Sequence, residues 1–137
     1  MISESMVYCS GIISYFQQQN CSINDVSLKE SQFQSISTND NSFNGGISAY
    51  GYSSQEYITD IIIAYTTISG NSTKQVSNAG ITGSIKESKQ TINNAQIFSV
   101  QILSKSQIDI WSGGIFGALL NSNLIISHSS FRNSNIY

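Results

Sequence analysis

The chain has 137 residues, a formal net charge of -2, 10 % charged and 39 % hydrophobic residues, and no proline. That length holds one domain at most. The near-neutral balance excludes the basic footprint of a nucleic-acid binder, and so many apolar residues at so little charge exclude a disordered tail.

Residues 1–10 read as the tail of an earlier repeat unit, because Val7 lies four before Gly11, as Val76 lies before Gly80 and Ile110 before Gly114. They lack the basic start and long apolar centre of a secretion signal. Gly11-Ile12 then recurs as Gly46-Ile47, Gly80-Ile81 and Gly114-Ile115, at intervals of 35, 34 and 34 residues. Self-similarity at a fixed period marks stacked repeats. The units run 11–45, 46–79 and 80–113, with an incomplete unit at 114–137.

Each unit carries the same internal pattern. Twelve residues after the glycine stands an isoleucine: Ile23, Ile58, Ile92 and Ile126. A polar pair follows (Asn24-Asp25, Thr59-Asp60, Asn93-Asn94, Ser127-His128), and such pairs bend a chain because Asn and Asp tolerate left-handed angles. Next come residues two apart: Val26 and Leu28, Ile61 and Ile63, Ala95 and Ile97, Ser129 and Phe131. Phe33, Ile68, Ile102 and Ile136 lie five residues further on. Steps of two put side chains on one face of a strand. The sustained three-and-four spacing of a helix is missing, and Ser, Ile, Asn, Thr and Tyr dominate over good helix formers.

The pattern predicts an all-β fold, a parallel β-helix (solenoid) of three to four coils with about 34 residues and three short strands per coil. The general rule for parallel crossovers makes it right-handed. Polar loops are expected at 37–44 and 70–75, and a lysine-containing corner at 86–89. The isoleucines would form an internal ladder. Without polar caps the ends leave open strand edges. The 137 residues are therefore expected to be a segment of a longer repeat protein.

Gly45-Gly46-Ile47 and Gly113-Gly114-Ile115 resemble the Gly-Gly-Ala-aliphatic signature of polymorphic outer-membrane-protein repeats, and Phe131-Arg132-Asn133 resembles that family's Phe-x-x-Asn element. Ile stands where the family has Ala, and the asparagine falls one residue early. The resemblance, shared with the pectin-lyase-like group, implies a right-handed parallel β-helix displayed at a cell surface, often as an adhesin.

Candidate chemistry is sparse. The corner column Asp25, Asp60, Asn94, His128 is read as a polar ladder against a cation or sugar site, because these are the residue types a corner needs. Glu56 and Glu30 add carboxylates without convergence. His128 is the only histidine, which excludes sites built on several imidazoles. Cys9 and Cys21 are either a disulfide or buried apolar fillers. Tyr8, Phe43 and Trp111 occupy equivalent places, either packed at a strand end or forming an outward column that stacks on sugars. Asn20-Cys21-Ser22 and Asn71-Ser72-Thr73 are glycosylation sequons expected in corners or loops.

No residue is assigned a catalytic, cofactor-binding or metal-binding role, and no cofactor is expected. The expected function is a non-enzymatic surface or interaction module, adhesin-like, with a carbohydrate-active or carbohydrate-binding β-helix as the alternative. The expected partner is a protein or glycan at an extracellular surface, with no nucleic acid. Membrane attachment would come only through segments outside this chain, and the open ends offer a route to self-association.

Overall fold

A computed structural model describes residues 2–3 and 6–137. The described residues form strands and turns and no helix. A partial first coil holds β1 (Ile2–Ser3). The next holds β2 (Val7–Ser10), β3 (Ile13–Gln17), β4 (Asn20–Lys29) and β5 (Gln32–Ser37). Then come β6 (Ser42–Gly45), β7 (Ser48–Tyr52), β8 (Gln55–Ala64) and β9 (Thr67–Ser72). The third full coil has β10 (Gln75–Ala79), β11 (Thr82–Lys86), β12 (Lys89–Phe98) and β13 (Gln101–Ser106). The last has β14 (Asp109–Gly113), β15 (Phe116–Leu120), β16 (Asn123–Ser127), β17 (Ser130–Arg132) and β18 (Asn135–Ile136).

Strands one coil apart pair in parallel and build four sheets: β1-β5-β9-β13-β18, β2-β6-β10-β14, β3-β7-β11-β15 and β4-β8-β12-β16, with β17 also on β12. This is a parallel β-solenoid of about four turns. The expected register holds: Ile23, Ile58, Ile92 and Ile126 pair in one column, as do Leu28, Ile63, Ile97 and Phe131, and Phe33, Ile68, Ile102 and Ile136. Ile58, Ile92, Ile63, Ile97, Ile68 and Ile102 are completely buried. Burial of one isoleucine is worth roughly 1.5–3 kcal/mol, so these columns supply the apolar half of the core.

The count of three strands per coil needs correction to four. The stretches read as polar loops, 37–44 and 70–75, turn only at 38–41 and 73–74 and are otherwise strand. β5 ends at Ser37, β6 begins at Ser42, β9 runs through Ser72, and β10 begins at Gln75. Their polar side chains face a second, polar half of the interior. Ser35 and Ser42 share a hydrogen bond. Asn44 Nδ2 donates to Asn78 Oδ1 at 2.6 Å, and Asn78 Nδ2 donates to Ser104 Oγ at 2.8 Å. Buried polar groups persist where they are paired, so this lane of serine and asparagine behaves as core.

Every full coil turns at three residues with left-handed backbone: Gln18, Asp25 and Glu30 in the first, then Ser53, Asp60 and Tyr65, then Glu87, Asn94 and Ser99, then Asn121, His128 and Asn133. The second member of each expected polar pair is one of these. A serine or threonine often comes next and stitches the corner. Ser54, Ser88 and Ser122 each donate to the carbonyl two residues back, and Ser54 and Ser88 amides donate to the hydroxyls of Ser88 and Ser122 in the following coil. Ser88, within the corner expected at 86–89 and read from the sequence as exposed, is therefore buried at 8 % exposure.

The repeated glycines answer a need for space, since no glycine has positive φ. Gly46 N donates to Gly80 O and Gly80 N to Gly114 O, both at 3.0 Å. A Cβ at Gly46 would collide with the Gly80 carbonyl and come within 2.7 Å of Ile63 Cδ1.

Candidate binding cleft

The bend at the glycines folds β2-β6-β10-β14 against β3-β7-β11-β15 and brings two rows of side chains together. One row is Tyr8, Phe43, Ser77 and Trp111; the other is Tyr15, Tyr50, Ser84 and Ala118. The expected column of Tyr8, Phe43 and Trp111 is thus real, with Ser77 in its third place. Each row follows one strand position through successive coils, so the in-register parallel pairing alone aligns the rings.

Tyr8 stacks on Phe43 with ring centroids 5.5 Å apart and an 11° interplanar angle, and Tyr15 stacks on Tyr50 at 5.8 Å and 3°. Across the rows Phe43 and Tyr50 are 4.9 Å apart and tilted by 53°. Aromatic pairs in such offset or tilted arrangements add about 0.5–1.5 kcal/mol each beyond area burial. Phe43 is buried, while Tyr15 is 45 % exposed. These rings, with Met6, Asn41, Tyr52, Gln75, Lys86, Trp111 and Leu120, line a cleft of about 370 Å³. Lys86 Nζ stands 5.6 Å from the centroid of the Tyr52 ring and 3.8 Å from Glu87. Burial, then the neighbouring Tyr15 and Asp40, pushes the Tyr8 hydroxyl up; burial foremost does the same to Tyr50. Both phenols therefore stay protonated donors.

The corner column behaves as a polar ladder. Asn94 Nδ2 donates to Asp60 Oδ1 at 2.6 Å, and His128 Nδ1 lies 3.1 Å from Asn93 Oδ1. Glu56, close to Asp60 in sequence, points the other way. It is 1 % exposed, accepts from Gln90 Nε2 and from Ser48 Oγ at 3.4 Å, and leaves Oε1 without a partner. Desolvation pushes its carboxyl up to about 7, against the lowering effect of Gln90 and Ser48. Among the described residues no three of His, Cys, Asp and Glu gather at metal-binding distance.

Cys9 and Cys21 are free thiols, and Cys21 packs against the apolar core. Asn20 and Asn71 are exposed, but both sequons begin in strands, β4 and β9, where corners or loops were expected. The tyrosines 15, 50 and 52 and Lys86 were missed as cleft residues. Their signal was the repeat register itself, which places Tyr15 and Tyr50 35 residues apart.

Compared with protein-family models, curated proteins and solved structures, the chain matches none.

Proposed function

We propose that the chain is a non-enzymatic interaction module, a stretch of solenoid that holds an aromatic cleft rigidly for an extended partner. The observation that carries this reading is the double row of rings along Tyr8, Phe43, Trp111 and Tyr15, Tyr50. Phe43 is buried within the rows, while Tyr8, Tyr15, Tyr50 and Trp111 are partly or largely exposed, and partly exposed aromatics in a groove are the usual anchors of recognition surfaces. The scaffold supports the reading, since side chains locked by in-register stacking lose little freedom on binding.

The Gly-Gly-Ile resemblance to polymorphic outer-membrane-protein repeats favours a cell-surface, adhesin-like setting, and the two exposed sequon asparagines fit a secretory route. A carbohydrate-binding solenoid is the second reading, favoured by the same rings, whose faces stack on sugar C–H groups as on other apolar edges. A hydrolase or lyase has less support: the raised carboxyl, Glu56, lies inside the coil, and the exposed Asp60 is engaged by Asn94.

The test is incubation of the chain with cellulose, xylan and galacturonan oligomers, following product formation. No product is expected. Product formation that disappears in Asp60→Ala would overturn the reading.

A further inference from the structure

Building on the interaction-module reading, we propose that the cleft docks a polyproline-II segment of another protein. The spacing of the rings is the first argument. Successive coils lie about 4.8 Å apart. The second coil carries Phe43 and Tyr50, the third carries the buried serines Ser77 and Ser84, and the fourth carries Trp111. The rings on either side of the serine rung are therefore about 9.6 Å apart along the axis. A polyproline-II helix rises about 3.1 Å per residue with three residues per turn, so one of its faces repeats every ~9.3 Å. A peptide laid along the cleft brings successive prolines, three residues apart, into step with the second- and fourth-coil rings. Tyr8 and Tyr15, one coil or about 4.8 Å before Phe43 and Tyr50, meet the next part of the peptide outside that step.

The polar atoms of the cleft are the second argument. The Trp111 indole N–H, the Tyr50 and Tyr52 hydroxyls and the Asn41 amide line it as donors, and among the described residues no carboxylate lines it. The other donors are engaged, Gln75 Nε2 by Asp109 Oδ2 at 3.2 Å, Lys86 by Glu87 at 3.8 Å, and the Tyr8 and Tyr15 hydroxyls by Met6 Sδ and Gln17 Oε1. A proline-rich backbone offers carbonyl oxygens and lacks N–H groups, so it needs donors. A sugar chain presents hydroxyls that must also donate, and the acceptors lining the cleft among the described residues are the amide oxygens of Asn41 and Gln75 and the phenol oxygens. Aromatic grooves with a few donors are the recurrent mode for polyproline-II ligands, whose preformed helix keeps the ordering cost low. These 137 residues contain no proline, so they do not themselves supply a proline-rich occupant.

Trp111 is the only tryptophan, so its fluorescence reports the cleft directly. The experiment titrates the full chain with decaproline and, separately, with cellohexaose. The expected result is a saturable Trp111 shift with decaproline, weakened about tenfold by Tyr15→Ala and by Tyr52→Ala. Tyr15 is 45 % exposed, so its removal leaves the fold intact, which circular dichroism verifies. A response to cellohexaose and none to decaproline overturns the polyproline assignment and leaves the interaction-module reading standing. A decaproline response that neither variant weakens overturns the placement in this cleft. Silence toward both ligands in a folded chain removes the polyproline assignment and the binding role of the cleft together.

Discussion

Glu56 offers the sharpest quantitative consequence of a solenoid with a half-polar interior. Its carboxyl sits among Ser48, Thr82 and Gln90, with Ser48 Oγ 3.0 Å from Thr82 Oγ1 and Gln90 Nε2 donating to Thr82 at 2.8 Å. Both Glu56 Oε1 and Gln90 Oε1 lack partners, so the cluster is short of donors and a proton on Glu56 supplies one. Its acidity shifts from an ordinary 4.5 to about 7. A raised carboxyl means that the folded state binds the proton more tightly than the unfolded state. The stability this contributes is fully present below the unfolded value and is lost as pH rises through 7. Each unit is worth about 1.4 kcal/mol, so unfolding free energy should fall by roughly 2–3 kcal/mol between pH 5 and pH 8. Urea titrations followed by Trp111 fluorescence measure it. His128→Asn in every background removes the only imidazole from the window. Cys21, its thiol pushed up by burial and by Glu56, stays protonated through it. Glu56→Gln should flatten the profile and make the chain more stable than the parent at pH 8. A parent without slope, or a glutamine variant with the parent's slope, refutes the assignment of Glu56 to a desolvated interior.

Three further outcomes follow from the register. Ile92→Asp places a charge among fully buried isoleucines and should cost about 4 kcal/mol or more, enough to abolish folding, whereas Gln96→Asp on the exposed face of the same strand should change stability by less than about 0.5 kcal/mol, as circular dichroism and urea midpoints will show. Gly80→Ala drives a methyl onto the Gly114 carbonyl and to 2.9 Å from Ile97 Cδ1, and should cost about 3 kcal/mol by urea unfolding. Glu30→Gly relieves a left-handed glutamate at φ 51° on an exposed corner; thermal melts should show a gain of about 0.5–1 kcal/mol.

The apolar ladders were legible in the sequence because isoleucine at a fixed 34-residue offset has one plausible environment, a column inside a stack. The corners at Asp25, Asp60 and Asn94 were legible because those side chains tolerate left-handed backbone. Gln18, Glu30 and Tyr65 occupy equally left-handed corners without any such preference, and only coil geometry imposes it on them. The fourth sheet stayed hidden because alternation tests look for apolar residues, and β6 and β10 turn Ser42, Asn44 and Asn78 inward. Extending the glycine offset to polar positions would have aligned Asn44 with Asn78, and Ser54 with Ser88 and Ser122. The sequence showed the rings of Tyr8, Phe43 and Trp111 as a column, but the cleft forms only when the second row, Tyr15 and Tyr50, folds against the first at the glycine bend.

The central claim is that in-register coils build one aromatic docking face. An amide chemical-shift map of the uniformly labelled chain titrated with decaproline tests it most directly. Shifts should concentrate at Tyr8, Tyr15, Phe43, Tyr50 and Trp111, with the corner residues Asp60, Asn94 and His128 unmoved. Shifts centred on that corner column, or a spectrum that decaproline leaves unchanged, would contradict it.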